Sequence, residues 1–473
     1  MIKIVLLIFC SLVFQLIGLS QPCLPNGILF TSQVEIDNFQ TNYPNCTIIE
    51  GDVTISGINI TNLNGLSVLT GIEGDLDISS NYNYLTNLTG LDNLTYIAGS
   101  LLIYDNASLI ELMGLNSVNS IGNYIYIDEN IALTSLMGLD NLNSIGSDVW
   151  ITHCSSLPSL LGLDSLVSVG GDFNISHTAI KNLLGLGSLT SIEGGLNIHH
   201  NDSLNNLIGI DNLTYLGDFL LIEKNQALIS LTGLESLNSI VNSVQIYNNT
   251  SLISLMGLNN VTSIGGFLRI WKNENLASLT ALESLTTIGG DLWITQNYTS
   301  LTNFTGLESV TSIGGILNIN TNLVLTSLAG LDNLDAETIS DLIINANPQL
   351  SYCHIQSICD YLADPNGLIH ITVNAPGCNS QEEVEEACTT IGIESSPPEL
   401  LLEIRPNPAS TRITIETTPK GNLFIFNLNG KELIQQAITE PTTTLHVNSL
   451  PSGIYFVKLV GENSVQVKMF VKQ

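Results

Sequence analysis

Between residues 61 and 350 the apolar positions of this chain repeat in register. Aligned on the glycine of a recurrent Gly-Leu step, the repeats fall at Gly65, Gly90, Gly114, Gly138, Gly162, Gly185, Gly209, Gly233, Gly257, Gly306 and Gly330, with Ala281 standing in once. The shared pattern approximates L-x-x-L-x-G-L-x-x-L-x-x-I-G-G-x-L-x-I-x-x-N, and successive repeats lie 23 to 25 residues apart. A unit this short cannot bury a core alone, whereas stacked units can. Twelve such coils predict a solenoid.

Within each coil the L-x-I segment alternates with a period of two, which predicts a short strand. Its second inward member is isoleucine in every coil, from Ile78 and Ile103 through to Ile344. Stacked at about 4.8 Å, the strands predict a parallel sheet roughly 50 Å long, with right-handed crossovers. The Gly pair before each strand suits a sharp bend requiring positive φ. Three residues beyond the isoleucine stands asparagine, as at Asn81, Asn106, Asn225, Asn249 and Asn347. An asparagine ladder there satisfies backbone groups that a tight coil leaves unpaired. Two coils replace it with Cys154 and Thr178, so Cys154 is expected to be a buried rung and not a nucleophile.

The ends of the repeat read differently. Residues 1–20 carry Lys3, an apolar run, and small residues at Gly18 and Ser20, which is the form of a secretory signal peptide. Export permits disulfides. Residues 21–60 form an N-terminal cap in which Cys23 and Cys46 are expected to pair, and 351–390 a cysteine-rich C-terminal cap. The latter holds Cys353, Cys359, Cys378 and Cys388, for which the sequence leaves three pairings, or a zinc site, open. Ser380 with Glu383 forms a capping box that opens a short helix there. A linker with Pro397 and Pro398 spans 391–402, and β-rich runs with a hairpin signal at Asn429-Gly430 predict a small β-sandwich over 403–473. The fold class expected is all-β: a capped parallel β-solenoid followed by a sandwich.

Charge separates the two units. Seven of the 12 Lys and Arg, but only five of the 43 Asp and Glu, lie after residue 399. The acidic solenoid would repel nucleic acid and anionic membranes.

If Leu and Ile point inward, the residues between and after them point outward. All three tryptophans of the chain occupy those two columns. Two candidate ligand-binding patches result: Tyr104, Tyr126 and Trp150 on coils 2 to 4, and Tyr247, Arg269, Trp271, Lys272 and Trp293 on coils 8 to 10, with Lys224 nearby. Exposed aromatics offer large contact area at low entropic cost to sugar rings or apolar peptide groups, although they also suit a strand surface as such. His153, His177 and His200 share a column on successive coils and are candidate ligands for Zn²⁺ or Cu²⁺, with His199 adjacent. The acidic column Asp92, Asp140, Asp164, Asp211, Glu235, Glu283, Glu308 and Asp332 either accepts backbone N–H groups or binds calcium. Asp105, Asp128 and Glu129 cluster as in a polysaccharide-cleaving β-helix enzyme, but no Arg or Lys stands near in the sequence to stabilise an anion. No catalytic site, and hence no enzyme, is expected.

Two stretches carry resemblances. The repeat, together with NCTIIEGDVTI at residues 45–55, resembles bacterial leucine-rich repeats of the receptor L-domain type over about residues 23–390. The tail, through PNPAS (Pro406, Asn407, Pro408 onward), LPSGIYFVKL (with Gly453 and Tyr455) and a final basic strand ending in KQ, resembles the type A sorting domain of the type IX secretion system. That resemblance implies export by the type IX machinery, removal of the tail, and attachment to the outer-membrane surface. The expectation is a secreted or cell-surface, non-catalytic binding or adhesion protein presenting its sheet to a glycan or protein ligand. The alternatives are a structural surface spacer or, more weakly, the β-helix enzyme.

Overall fold

The computed structural model describes residues 21–389, 402–417, 421–428, 430–461 and 465–473. The signal-peptide reading at 1–20 and nearly all of the 391–402 linker lie outside them.

The alternating L-x-I segments form a parallel sheet of 15 strands in unbroken chain order along the solenoid. Register is exact from coil to coil: Leu268 pairs with Val244 and Leu292, and Arg269 with Gln245 and Trp293. Twelve strands are the coils read from the repeat. Three more come from the caps: Ile28–Phe30, Val53–Ile55 and Ile369–Thr372. The cap segments lack the full consensus yet keep the alternation, with Val53 and Ile55 buried, so they extend the sheet. Two-residue strands such as Ser120–Ile121 and Ser239–Ile240 build a second face, in sheets of nine and four strands. One continuous apolar core runs between the faces, from Phe30 to Val384. Burying each leucine or isoleucine contributes roughly 1.5–3 kcal/mol.

Positive φ falls elsewhere than the repeat suggested. The Gly pairs before the strands do not adopt it. They are glycine because backbones approach closely: a Cβ on Gly146 would lie 2.0 Å from the Gly122 carbonyl oxygen. The left-handed region is used by the Gly of the Gly-Leu step, as at Gly257 (φ 116°), and by the residue just after each strand. The latter column reads Ser80, Asp105, Glu129, His153, His177, His200, Lys224, Asn248, Lys272, Gln296, Thr321 and Ala346, with φ between 46° and 58°. Asn, Asp and His tolerate that region better than other side-chain-bearing residues, and they recur here.

The asparagine ladder forms. Asn249 Nδ2 donates to the carbonyls of Ile222 (3.0 Å) and Tyr247 (3.1 Å), while Asn249 Oδ1 accepts the Asn225 backbone N–H at 3.0 Å. Cys154 and Thr178 take rungs and are buried, as the pattern requires.

Disulfides close both caps: Cys23–Cys46 at the entrance, Cys353–Cys378 and Cys359–Cys388 at the exit. The last two select one of the three pairings and leave those cysteines no role as zinc ligands. The helix Gln381–Cys388 opens on Ser380, whose side chain accepts from the Glu383 N–H, but the Glu383 carboxylate reaches the N–H groups of Gly377 and Asn379. The C-terminal unit has seven strands in antiparallel sheets of three and four. Its outer apolar side chains, Phe456 and Val467 among them, cluster with Ile253 and Ala277 of the solenoid.

Candidate functional site

The exposed surface of the 15-stranded sheet is a ruled lattice: every coil places one side chain beside its neighbour in exact register. Trp293 points outward, in line with Arg269 and Asn318. It is not bare. The Arg269 guanidinium lies 3.9 Å from the Trp293 ring centre and 4.1 Å from that of Phe267, and is tied to Asp291 at 3.1 Å. Cation–π attraction thus holds arginine between two rings. In the next column Tyr247 and Trp271 stack at 3.8 Å, nearly parallel. Burial, with a hydrogen bond to Glu223, raises the Tyr247 hydroxyl above its ordinary pKa. Glu223 also holds Lys224 at 2.8 Å. On coils 8 to 10 Tyr247, Arg269, Trp271 and Trp293 therefore engage one another, while Lys272 is exposed. A depression of about 350 Å³ beside them is lined by Phe219, Asn242, Gln245, Phe267 and Asp291, and of these the aromatic pair Phe219 and Phe267 was not flagged by the repeat, which leaves their position unconstrained.

Coils 2 to 5 differ. Tyr104 and Tyr126 meet edge to face at 6.1 Å. Trp150, beside Tyr126 in the register, is 37% exposed, more than any other tryptophan here. On its other side the sheet drops to short residues, Asn174 and Ser176, each 2% exposed. In register Asn174 lies between Trp150 and Asn197, and Ser176 between Thr152 and His199, so on coil 5 short polar residues are covered by their neighbours. Asn197 donates to Asn174 Oδ1 at 3.1 Å, leaving Asn174 Nδ2 and Asn197 Oδ1 without protein partners. The sequence identified Trp150 but not the burial of Asn174 beside it, which depends on what the adjoining coils carry.

Asp128 borders this region. It accepts from Tyr126 (2.7 Å), from the Thr152 hydroxyl, and from His153 (2.8 Å). Burial alone would raise its pKa, but those three bonds outweigh burial and hold it below the ordinary value. The folded chain thus keeps Asp128 ionised to lower pH than the unfolded chain does. The resulting stability is complete above about pH 4 and is lost as pH falls through the depressed value. Asp128→Asn should accordingly flatten the acid limb of a plot of Tm against pH; parallel limbs for the two proteins would refute this. Its companion Asp105 accepts from Tyr82 and Ser80.

Two further candidates have structural explanations. Apart from Glu283, the acidic column accepts the backbone N–H of the glycine two residues before: Gly138 donates to Asp140 at 2.8 Å and Gly233 to Glu235 at 2.8 Å. Neutral Asn116 and Asn259 do the same, so the column serves the turn without needing charge. Cys154 is fully buried, and burial pushes its thiol up to about 12, far from a reactive thiolate.

In the C-terminal unit the tail motifs fasten the final strand, Val465–Lys472. Asn407 accepts from the Val471 N–H at 2.8 Å and donates to the Met469 carbonyl at 3.2 Å; Ala409 donates to the Val471 carbonyl at 2.7 Å. The Arg405-Pro406 and Asn407-Pro408 peptides are cis. Tyr455 stacks on Phe470 at 5.5 Å and donates to the Pro451 carbonyl at 2.8 Å, within the strand–turn region that opens at Gly453. Residues 403–473 match the family model of the secretion system C-terminal sorting domain. The tail is a type IX sorting domain. A second model, the receptor L domain, matches residues 45–112, the first coils of the solenoid. No curated protein matches the chain. The sorting domain marks the chain as secreted or displayed at the cell surface and makes the type IX machinery its partner in export. No helix among the described residues is long and apolar enough to cross a membrane.

Proposed function

We propose that the exported solenoid is a non-catalytic binding protein that presents coils 2 to 5 of its sheet to a glycan, docked with a sugar ring against Trp150. The observation that carries this reading is the exposed Trp150, flanked in register by Tyr126 on one side and the short, covered Asn174 on the other. A pyranose has an apolar face that can lie on the indole ring. The parallel ladder keeps the side chains fixed before binding, which lowers the entropic cost of association. The match to a receptor L domain over residues 45–112 supports a binding role in general, without specifying a ligand.

A second reading, a spacer whose regular coils matter for reach, is favoured by the mutual stacking of Tyr247 with Trp271 and of Arg269 with Trp293. Rings that occupy each other's faces act as cross-strand packing. Because all three tryptophans lie on this face, their fluorescence distinguishes the two readings. Titration of the full chain with neutral and acidic polysaccharides is expected to give a saturable emission change that is lost in Trp150→Ala and retained in Trp271→Ala. Flat traces across the panel would favour the spacer, and loss only in Trp271→Ala or Trp293→Ala would relocate the site to coils 8 to 10.

A further inference from the structure

We propose that His177, His199 and His200 form a site for one divalent transition-metal ion of the zinc or copper class, on coils 5 and 6. One nitrogen from each ring lies within 4.8 Å of the other two. The juxtaposition follows from the coil geometry. His199 ends the strand of coil 6, and the left-handed residue His200 turns its ring back beside it, leaving their Nδ1 atoms 2.9 Å apart. His177 holds the same left-handed position one coil earlier, and its ring lies 4.7 Å from that of His200.

The distances suit a metal. With metal–nitrogen bonds of about 2.0–2.1 Å, two ligands lie about 2.9 Å apart at a right angle and about 3.4 Å apart at the tetrahedral angle. The His199–His200 pair already falls in that range. His177 is exposed and stacks nearly parallel on the His200 ring, so to ligate its ring must turn out of that stack. The protonation states agree. Burial, reinforced by the neighbouring imidazoles, lowers the pKa of His177 and His199, so the neutral, metal-binding forms prevail near neutral pH. In the metal-free chain one proton is shared in the hydrogen bond between the His199 and His200 Nδ1 atoms; on binding it moves to the Nε2 of its own ring, so that both neutral rings present an Nδ1 lone pair. Three histidines leave the remaining position of the ion to solvent or to an incoming ligand.

His153 is the exception in its column. It stacks on His177 at 4.5 Å, but its Nδ1 is committed to Asp128. It is therefore assigned as a support for the His177 ring and not as a ligand, which departs from a reading of the column from sequence alone.

The test is calorimetric titration of chelator-treated full chain with Zn²⁺, in millimolar Ca²⁺ to saturate the surface carboxylates. One equivalent is expected to bind. His199→Ala and His200→Ala should each weaken binding at least about tenfold, His177→Ala comparably, and His153→Ala no more than about threefold. The absorption spectrum of the Co²⁺-loaded wild type provides a reading free of any folding defect in the variants and should show nitrogen ligation. Zinc heat unchanged by the three substitutions, or a Co²⁺ spectrum of oxygen ligation alone, would overturn the assignment.

Discussion

Asn249→Ala is expected to destabilise the solenoid by about 3–5 kcal/mol, because the substitution strands several buried polar groups at once. Asn249 is fully buried. Its removal takes the acceptor from the Asn225 N–H and the donor from the carbonyls of Ile222 and Tyr247. No water reaches these groups in the intact coil, and a methyl group serves none of them. A solenoid unfolds through nearest-neighbour coupling, so the loss should register as a lower denaturation midpoint and as faster amide exchange centred on coils 7 to 9. The chain contains its own counter-experiment. At coil 4 the rung is Cys154, and a thiol cannot donate to the two carbonyls that an amide serves elsewhere. Cys154→Asn should stabilise by about 1 kcal/mol. A Cys154→Asn protein less stable than the parent, or an Asn249→Ala protein within about 1 kcal/mol of it, would show that the ladder is not what holds the coils in register.

The ladder also shows what could be read in advance. A period-two strand, an invariant inward isoleucine and a recurring asparagine each follow from one residue's needs, so the repeat exposes them. Cys23 pairing with Cys46 was legible for the same reason, since the two flank a single cap. Features that depend on several coils together were not. Asn174 and Ser176 are buried on an otherwise outward surface because of what coils 4 and 6 place beside them, and no single coil records that. The basic character of coils 8 to 10 promised an open patch, but Arg269 turned onto Trp293, its neighbour in register, and on coil 7 Lys224 paired with Glu223, the residue before it. The positive φ after each strand was missed although Asp105, His153, His177 and Asn248 marked it. Their tolerance of left-handed backbone was the signal, hidden by serine, lysine and alanine in the same column.

Gly257→Ala and Ala281→Gly occupy equivalent positions and are expected to differ sharply in cost. Gly257 has φ 116°, and an added Cβ would lie 2.0 Å from the Leu231 carbonyl oxygen. Backbone strain and collision with a main-chain atom act together, so the substitution should cost roughly 3 kcal/mol or more. Ala281 stands where the consensus has glycine and is tolerated because its coil departs from the others. Residues Thr280–Leu282 form a turn of 3₁₀ helix, and residue 281 is not at positive φ. Ala281→Gly gains no relief there and loses chain stiffness, costing about 0.5–1 kcal/mol. Gly65 separates the two causes. It too lies in a 3₁₀ turn, Asn64–Leu66, without positive φ, but a Cβ there would meet the Ile36 carbonyl oxygen of the N-terminal cap at 1.9 Å. Gly65→Ala should therefore destabilise through collision alone, between the other two substitutions. Chemical denaturation of the three variants measures the order directly. If Ala281→Gly proved stabilising, the 3₁₀ turn would be a strained accommodation of alanine and not an alternative closure of the coil.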